Sequence, residues 1–131
     1  MPKPVILCVD DEIAVLESLK VQLKSAFGTE YSYELAENAM DALEMLEELT
    51  EEESQVLVIV SDWLMPGMKG DDLLICIHQK FPKIVKVMLT GQADEAAIAR
   101  VKKEANLHSC LYKPWLESDL IEIIKSGLKK I

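Results

Sequence analysis

The sequence predicts an α/β domain: a doubly wound, five-stranded parallel sheet with helices on both faces. Three observations carry this. Near-continuous apolar runs recur at 5–9, 56–60 and 85–89, as expected of parallel strands covered on both sides. Between the strands, apolar residues return at spacings of three and four, the mark of amphipathic helices. A length of 131 residues allows one core of ordinary domain size and leaves no room for a second full domain.

The elements follow in order. Val5 to Val9 is the first strand and runs into Asp10, Asp11 and Glu12; Ile13, Leu16, Leu19, Leu23 and Phe27 mark the first helix. Tyr31 to Ala36 alternates polar and apolar residues, which predicts an edge strand. Ala39, Leu43, Leu46 and Leu49 carry the second helix, and the acid-rich stretch Glu44 to Glu53 around its end reads as solvated surface. Val56 to Val60 is the third strand, followed by a helix on Leu73 or Leu74, Ile77 and Phe81. Val85 to Leu89 leads to a helix on Ala97, Ile98, Val101 and Ala105. Ser109 to Tyr112 leads to a last helix on Leu116, Leu120, Ile123, Ile124 and Leu128. Short right-handed crossovers between five such strands favour the flavodoxin-like (βα)5 order 2-1-3-4-5, with function at the carboxyl ends of the strands.

Composition excludes several classes. Half of the residues are hydrophobic and 28% charged, ordinary for a soluble globular protein. The apolar runs are strand-sized, too short to span a bilayer, and residues 1–4 hold no apolar core of a secretory signal. A cytoplasmic location is the default expectation. A net charge of −9 opposes non-specific binding to a phosphate backbone, so direct contact with nucleic acid is not expected. Cys8, Cys76 and Cys110 form no C-x-x-C pair and predict neither a disulfide framework nor a zinc site.

Polar residues collect at one edge of the predicted sheet. Asp10, Asp11 and Glu12 follow the first strand; Ser61 and Asp62 the third; Thr90 and Gly91 the fourth; Lys113 and Pro114 the fifth. Each has a plain structural alternative: Asp11 as a helix cap, Asp62 opening a turn through Met65, Pro66 and Gly67, Thr90 as a cap, Lys113 as a surface charge. Their conjunction points elsewhere. Adjacent first and third strands would bring Asp10, Asp11 and Asp62 together, and like charges that close raise one another's pKa values. A hard divalent cation such as Mg²⁺ compensates them. A metal, carboxylates, a hydroxyl and a lysine in one crevice are the parts of a phosphoryl-transfer site, in which an aspartate can be the nucleophile. Asp62 is the choice, because it ends a central strand ahead of a Pro/Gly loop that a phosphodonor can approach.

Four motifs, VDDE at 9–12, SDWLMPGMKG at 61–70, LTG at 89–91 and YKPW at 112–115, fall in this order at strand ends. With them the chain resembles the receiver domain of two-component response regulators over essentially its whole length. The resemblance implies that Asp62 accepts the phosphoryl group, that Asp11 binds Mg²⁺ directly and Asp10 largely through water, and that the Leu64 carbonyl completes the protein's ligands. It implies that Thr90 and Lys113 engage the phosphoryl group and couple it to the last part of the fold, and that the Lys113–Pro114 bond is cis. Leu64 and Gln92 match positions that tune the lifetime of the phosphate. One departure is Cys110, where the family often has the aromatic half of the switch; Tyr112 lies two residues too far along to replace it.

The expected function is a switch: Asp62 takes phosphate from the phosphohistidine of a sensor histidine kinase or phosphotransfer protein, or from a small acyl phosphate. The surface of the fourth helix, fifth strand and fifth helix then changes to control an output domain or partner, and the resemblance allows a phosphorylation-dependent homodimer there. Trp115 and Leu116 could add an apolar part to that surface, although Trp115 reads first as packing. The chain would catalyse only its own phosphorylation and dephosphorylation, and 1–131 would be one receiver domain, free-standing or the front of a longer protein. The alternative is an interaction module that keeps the fold without the chemistry. A haloacid-dehalogenase-type phosphatase would want D-x-D after the first strand, and a flavodoxin a Ser/Thr/Gly phosphate loop; neither is present. His78 and His108 read as ordinary surface or boundary residues.

Overall fold

The computed structural model describes residues 2–91 and 95–131. Strands β1 (Val5–Val9), β2 (Ser32–Ala36), β3 (Val56–Asp62), β4 (Val85–Thr90) and β5 (Ser109–Tyr112) alternate with helices α1 (Ile13–Phe27), α2 (Ala39–Glu51), α3 (Gly70–Lys80), α4 (Glu95–Ala105) and α5 (Glu117–Leu128). The strands form one sheet in the order β2-β1-β3-β4-β5, and all four pairings are parallel. The predicted class and strand order both hold.

Side chains alternate across each strand, so one run of apolar residues serves two layers. Ile6, Cys8, Val58, Val60, Val87 and Leu89 pack with Leu19, Leu23, Leu120 and Ile124 of α1 and α5. Leu7, Val9, Ile59 and Met88 pack with Ala42, Leu46, Leu73, Ile77 and Val101 of α2, α3 and α4. This is why β1, β3 and β4 read as near-continuous hydrophobic runs. β2 is an edge strand, as its alternation predicted, although it begins at Ser32 and not Tyr31.

Three predicted ends move. β3 continues through Asp62 and β4 through Thr90, because Ser61, Asp62 and Thr90 still make ladder pairings although they are polar. Leu116 caps α5 instead of lying within it. The plain alternative of Asp11 as a helix cap does not hold: Glu12 is the N-cap residue of α1, with no capping side chain of its own, and Asp10 Oδ1 accepts the Glu12 N–H at 2.8 Å.

One polar residue breaks the apolar pattern. Lys86, the second residue of β4, is 1% exposed, and its ammonium reaches His78 Nδ1 at 2.8 Å and the Pro82 carbonyl at 3.3 Å. Among the described residues no helix is long and apolar enough to cross a membrane.

Candidate functional site

Adjacent β1 and β3 end side by side, with Val9 level with Ser61, so Asp10 and Asp62 emerge together. Asp10 is fully buried and Asp62 nearly so, while Asp11 is exposed. Carboxylate oxygens of the three lie within 4.8 Å of one another. Ligand oxygens around Mg²⁺, bound at ~2.0–2.1 Å in an octahedron, are spaced at ~3–4 Å, so small side-chain adjustments would bring this all-oxygen set onto the ion. The donors are hard and the cluster is anionic; the residues fit a divalent cation.

Lys113 opposes these charges from the far side. Its Nζ donates to Asp10 Oδ2 at 2.9 Å and stands 3.3 Å from Asp62 Oδ1. Lys113–Pro114 is cis, and the Lys113 N–H donates to the Thr90 carbonyl at 2.8 Å, which holds the chain beyond β5 against the end of β4. Thr90 is buried at the same edge. The structure thus brings Asp10, Asp11, Asp62, Thr90 and Lys113 to one end of the sheet. Leu64 follows in the β3–α3 loop with its side chain partly exposed; Gln92 lies outside the described residues.

Asp62 is held asymmetrically. Trp63 N–H donates to its Oδ1 at 3.0 Å, and Lys113 approaches the same oxygen. Both donors go to Oδ1, and Oδ2 accepts no hydrogen bond among the described residues. Burial pushes the Asp62 carboxyl up to about 6; the Asp10 charge adds to this, while Lys113 and the Trp63 N–H act in the other direction. Burial pulls the Lys113 ammonium down, but the bond to Asp10 and the charges of Asp62 and Asp10 leave it above its ordinary value.

The loop after Asp62 is anchored as tightly. Gly67 has φ 80°, the left-handed conformation glycine adopts at no steric cost, and completes the expected Pro66–Gly67 turn. Gly70 N–H donates to the Trp63 carbonyl at 2.8 Å, and a Cβ on Gly70 would overlap the Asp62 carbonyl oxygen. Sequence reasoning missed this requirement and the role of Trp63, whose ring is buried with Lys69 Nζ 5.7 Å from its centre. The only signal was their place within SDWLMPGMKG.

Other expectations find their places. Trp115 packs: its Nε1–H donates to Gln22 Oε1 at 2.8 Å, while Leu116 remains exposed. His78 pairs with Lys86, and His108 Nε2 lies 2.8 Å from Ser126 Oγ, so both are boundary residues with local partners. Burial pushes the Cys8 thiol up to about 12 and also raises Cys110, which makes both poor thiolates at neutral pH.

The acids lie at the carboxyl edge of a doubly wound parallel sheet, where β1 and β3 run side by side and the strand order reverses. The family described as response regulator receiver domain matches residues 6–125, and the chain belongs to that family. It is a receiver domain of two-component systems. Relatives include the hydrogenase transcriptional regulatory protein HoxA of Bradyrhizobium diazoefficiens, 29% identical over 95% of this chain and 24% of its own length. The sensor kinase CckA of Brucella abortus is 32% identical over 95% of this chain and 12% of its own length. The chain therefore spans a quarter or less of these relatives. Among solved structures, the signal receiver domain of an HD domain-containing protein from Pseudomonas fluorescens Pf-5 is 30% identical with a TM-score of 0.85, covering 97% of this chain and 95% of that one. A CheY-like receiver domain protein from Methanospirillum hungatei JF-1 is 29% identical, also with a TM-score of 0.85, covering 98% and 95%.

Proposed function

We propose that this chain is a phosphorylation-driven switch with Asp62 as phosphoacceptor. The observation that carries the reading is the asymmetric hold on Asp62: Oδ1 accepts from Trp63 N–H and faces Lys113, so Oδ2 is oriented as the nucleophile. Oδ2 attacks the phosphorus of a donor phosphohistidine or acyl phosphate. The new O–P bond forms as the bond from phosphorus to the donor's nitrogen or oxygen breaks, and the donor leaves with that electron pair. Water later attacks the same phosphorus and returns the Asp62 carboxylate with release of inorganic phosphate.

Asp10, Asp11, Asp62 and the Leu64 carbonyl would hold Mg²⁺, which supplies positive charge to the transferring phosphoryl oxygens. Lys113 exchanges its contact with the Asp62 carboxylate for one with the added phosphoryl oxygens, and the Thr90 hydroxyl binds another. Because Lys113 is bonded to Thr90 through the backbone, both ends of that contact move together. The surface of α4, β5 and α5 is biased in this way, to control an output domain or partner, or a phosphorylation-dependent homodimer. Residues 1–131 act as one receiver unit, with a sensor kinase or phosphotransfer protein as donor in the cytoplasm.

Intact mass spectrometry after incubation with acetyl phosphate tests this. The expected result is a Mg²⁺-dependent gain of one phosphoryl group in the wild type and none in Asp62→Asn. A folded wild type that gains nothing would favour the interaction module instead.

A further inference from the structure

The open edge of β2, remote from the acidic site, carries two concavities of opposite charge. On the α1 side Lys3, Lys20 and Lys24 line one of about 350 Å³. On the α2 side Glu48 and Glu52, with Met45 and Leu49, line another of about 210 Å³. Glu34 of β2 borders both. The two helices pack into separate apolar layers, so the concavities lie on opposite faces of the sheet. They also lie at the same end of it: Lys24 is in the last turn of α1, Glu48 and Glu52 close α2, and Lys3 precedes β1.

Among the described residues, ion pairs form on Lys80, Arg100 and Lys113, and none involves Lys3, Lys20, Lys24, Glu48 or Glu52. Three lysines share this concavity with one carboxylate, Glu34, to which none of them is paired, and on a chain of net charge −9 they leave a local positive excess for an acidic surface. The matching acidic surface is on the same chain, at the same height, across the same edge.

We propose that the β2 edge is the contact between two copies of this chain. A two-fold axis lying in the plane of the sheet and running along β2 exchanges its faces. Each copy then sets its lysines against Glu48 and Glu52 of the other, and the contact is made twice and closes. An axis perpendicular to the sheet would set lysine against lysine, so the charges select the first arrangement. The half-buried Met45 and Leu49 supply an apolar part. At ~0.15 M salt the Debye length is ~8 Å, which screens the long-range repulsion of two acidic chains more than it weakens pairs in contact. The contact uses none of the phosphoacceptor residues and forms without a phosphodonor.

Sedimentation velocity at ~0.15 M salt tests this on the unphosphorylated wild type, on Lys20→Glu/Lys24→Glu, on Glu48→Lys/Glu52→Lys and on an equimolar mixture of the two variants. All four positions are exposed, and circular dichroism checks that each variant folds. The wild type is expected to dimerise, each variant alone to associate about tenfold or more weakly, and the mixture to recover the dimer by restoring opposite charges across the axis. A wild type that stays monomeric up to ~1 mM overturns the proposal. So does a dimer indifferent to either variant, or a mixture no stronger than its parts. Loss in the lysine variant alone would also overturn it, because the lysines would then meet an acidic surface of the second copy other than Glu48 and Glu52.

Discussion

The Lys113 ammonium donates to Asp10 Oδ2 at 2.9 Å, joining two residues 103 positions apart in the chain. Asp10 is 0% exposed, and among the described residues its other oxygen accepts only the Glu12 N–H. Lys113→Met would leave Asp10 buried without its counter-charge and remove the larger of the two influences that hold the Asp62 carboxyl down, leaving the Trp63 N–H. The expected cost is about 2–4 kcal/mol in urea unfolding at neutral pH without metal. A change smaller than about 0.5 kcal/mol would show that solvent replaces the pair.

Divalent metal should stabilise the fold, because it binds the clustered acids in the folded state only. At 100 times its Kd, Mg²⁺ is expected to add about 2.7 kcal/mol by mass action. Asp11→Asn removes one exposed carboxylate from the set and should shift the titration to higher Mg²⁺. The melting temperature followed against Mg²⁺ concentration reads both, and a flat curve in the wild type would exclude the site.

Lys86 makes the protein pH-sensitive in the alkaline range. Burial lowers its pKa from 10.5 to about 8, so between these values the unfolded chain binds more protons than the folded one. Stability therefore rises with pH across that window, and the full cost of burying the charge, up to about 3 kcal/mol, is present below pH 8. Lys86→Met should stabilise the protein by about 1–3 kcal/mol at pH 7, a gain that shrinks as pH approaches 10.5. His78, which burial and then the Lys86 charge hold below its ordinary pKa, should rise part of the way back, visible by NMR titration. An unchanged stability difference across this pH range would refute the account.

Gly70→Ala should be among the most damaging single methyl additions in the chain. The added Cβ meets backbone, the Asp62 carbonyl and Trp63 Cα, which cannot swing aside as a side chain tip can. About 3 kcal/mol of destabilisation is expected, with slower phosphorylation because the Asp62 strand end must shift. Gly91, with open space where its Cβ would stand, serves as the control and should tolerate alanine.

The strands and helices were legible because parallel sheet buries both faces of β1, β3 and β4 and so writes them as apolar runs. The acids, threonine and lysine were legible because they interrupt those runs at one end. Lys86 was hidden by the same logic: it sits within an apolar strand and reads as a strand residue, with no mark of the helix end that receives its charge. Which acid would serve the start of α1 was not legible either. Asp10, one residue before Asp11, took the Glu12 N–H, and adjacent acids cannot be told apart by spacing.

The order of elements, the strand sequence 2-1-3-4-5 and the identity of the residues at the carboxyl edge were determined by the sequence, since they follow from periodicity, chain order and crossover handedness. Tertiary structure decided which Asp62 oxygen is held, and it decided that Lys113 answers Asp10 more closely than Asp62. It also set the lysines of α1 and the glutamates of α2 on opposite faces of one edge. Each of these depends on side chains from distant strands and helices meeting at distances of a few ångströms, which local patterns do not encode.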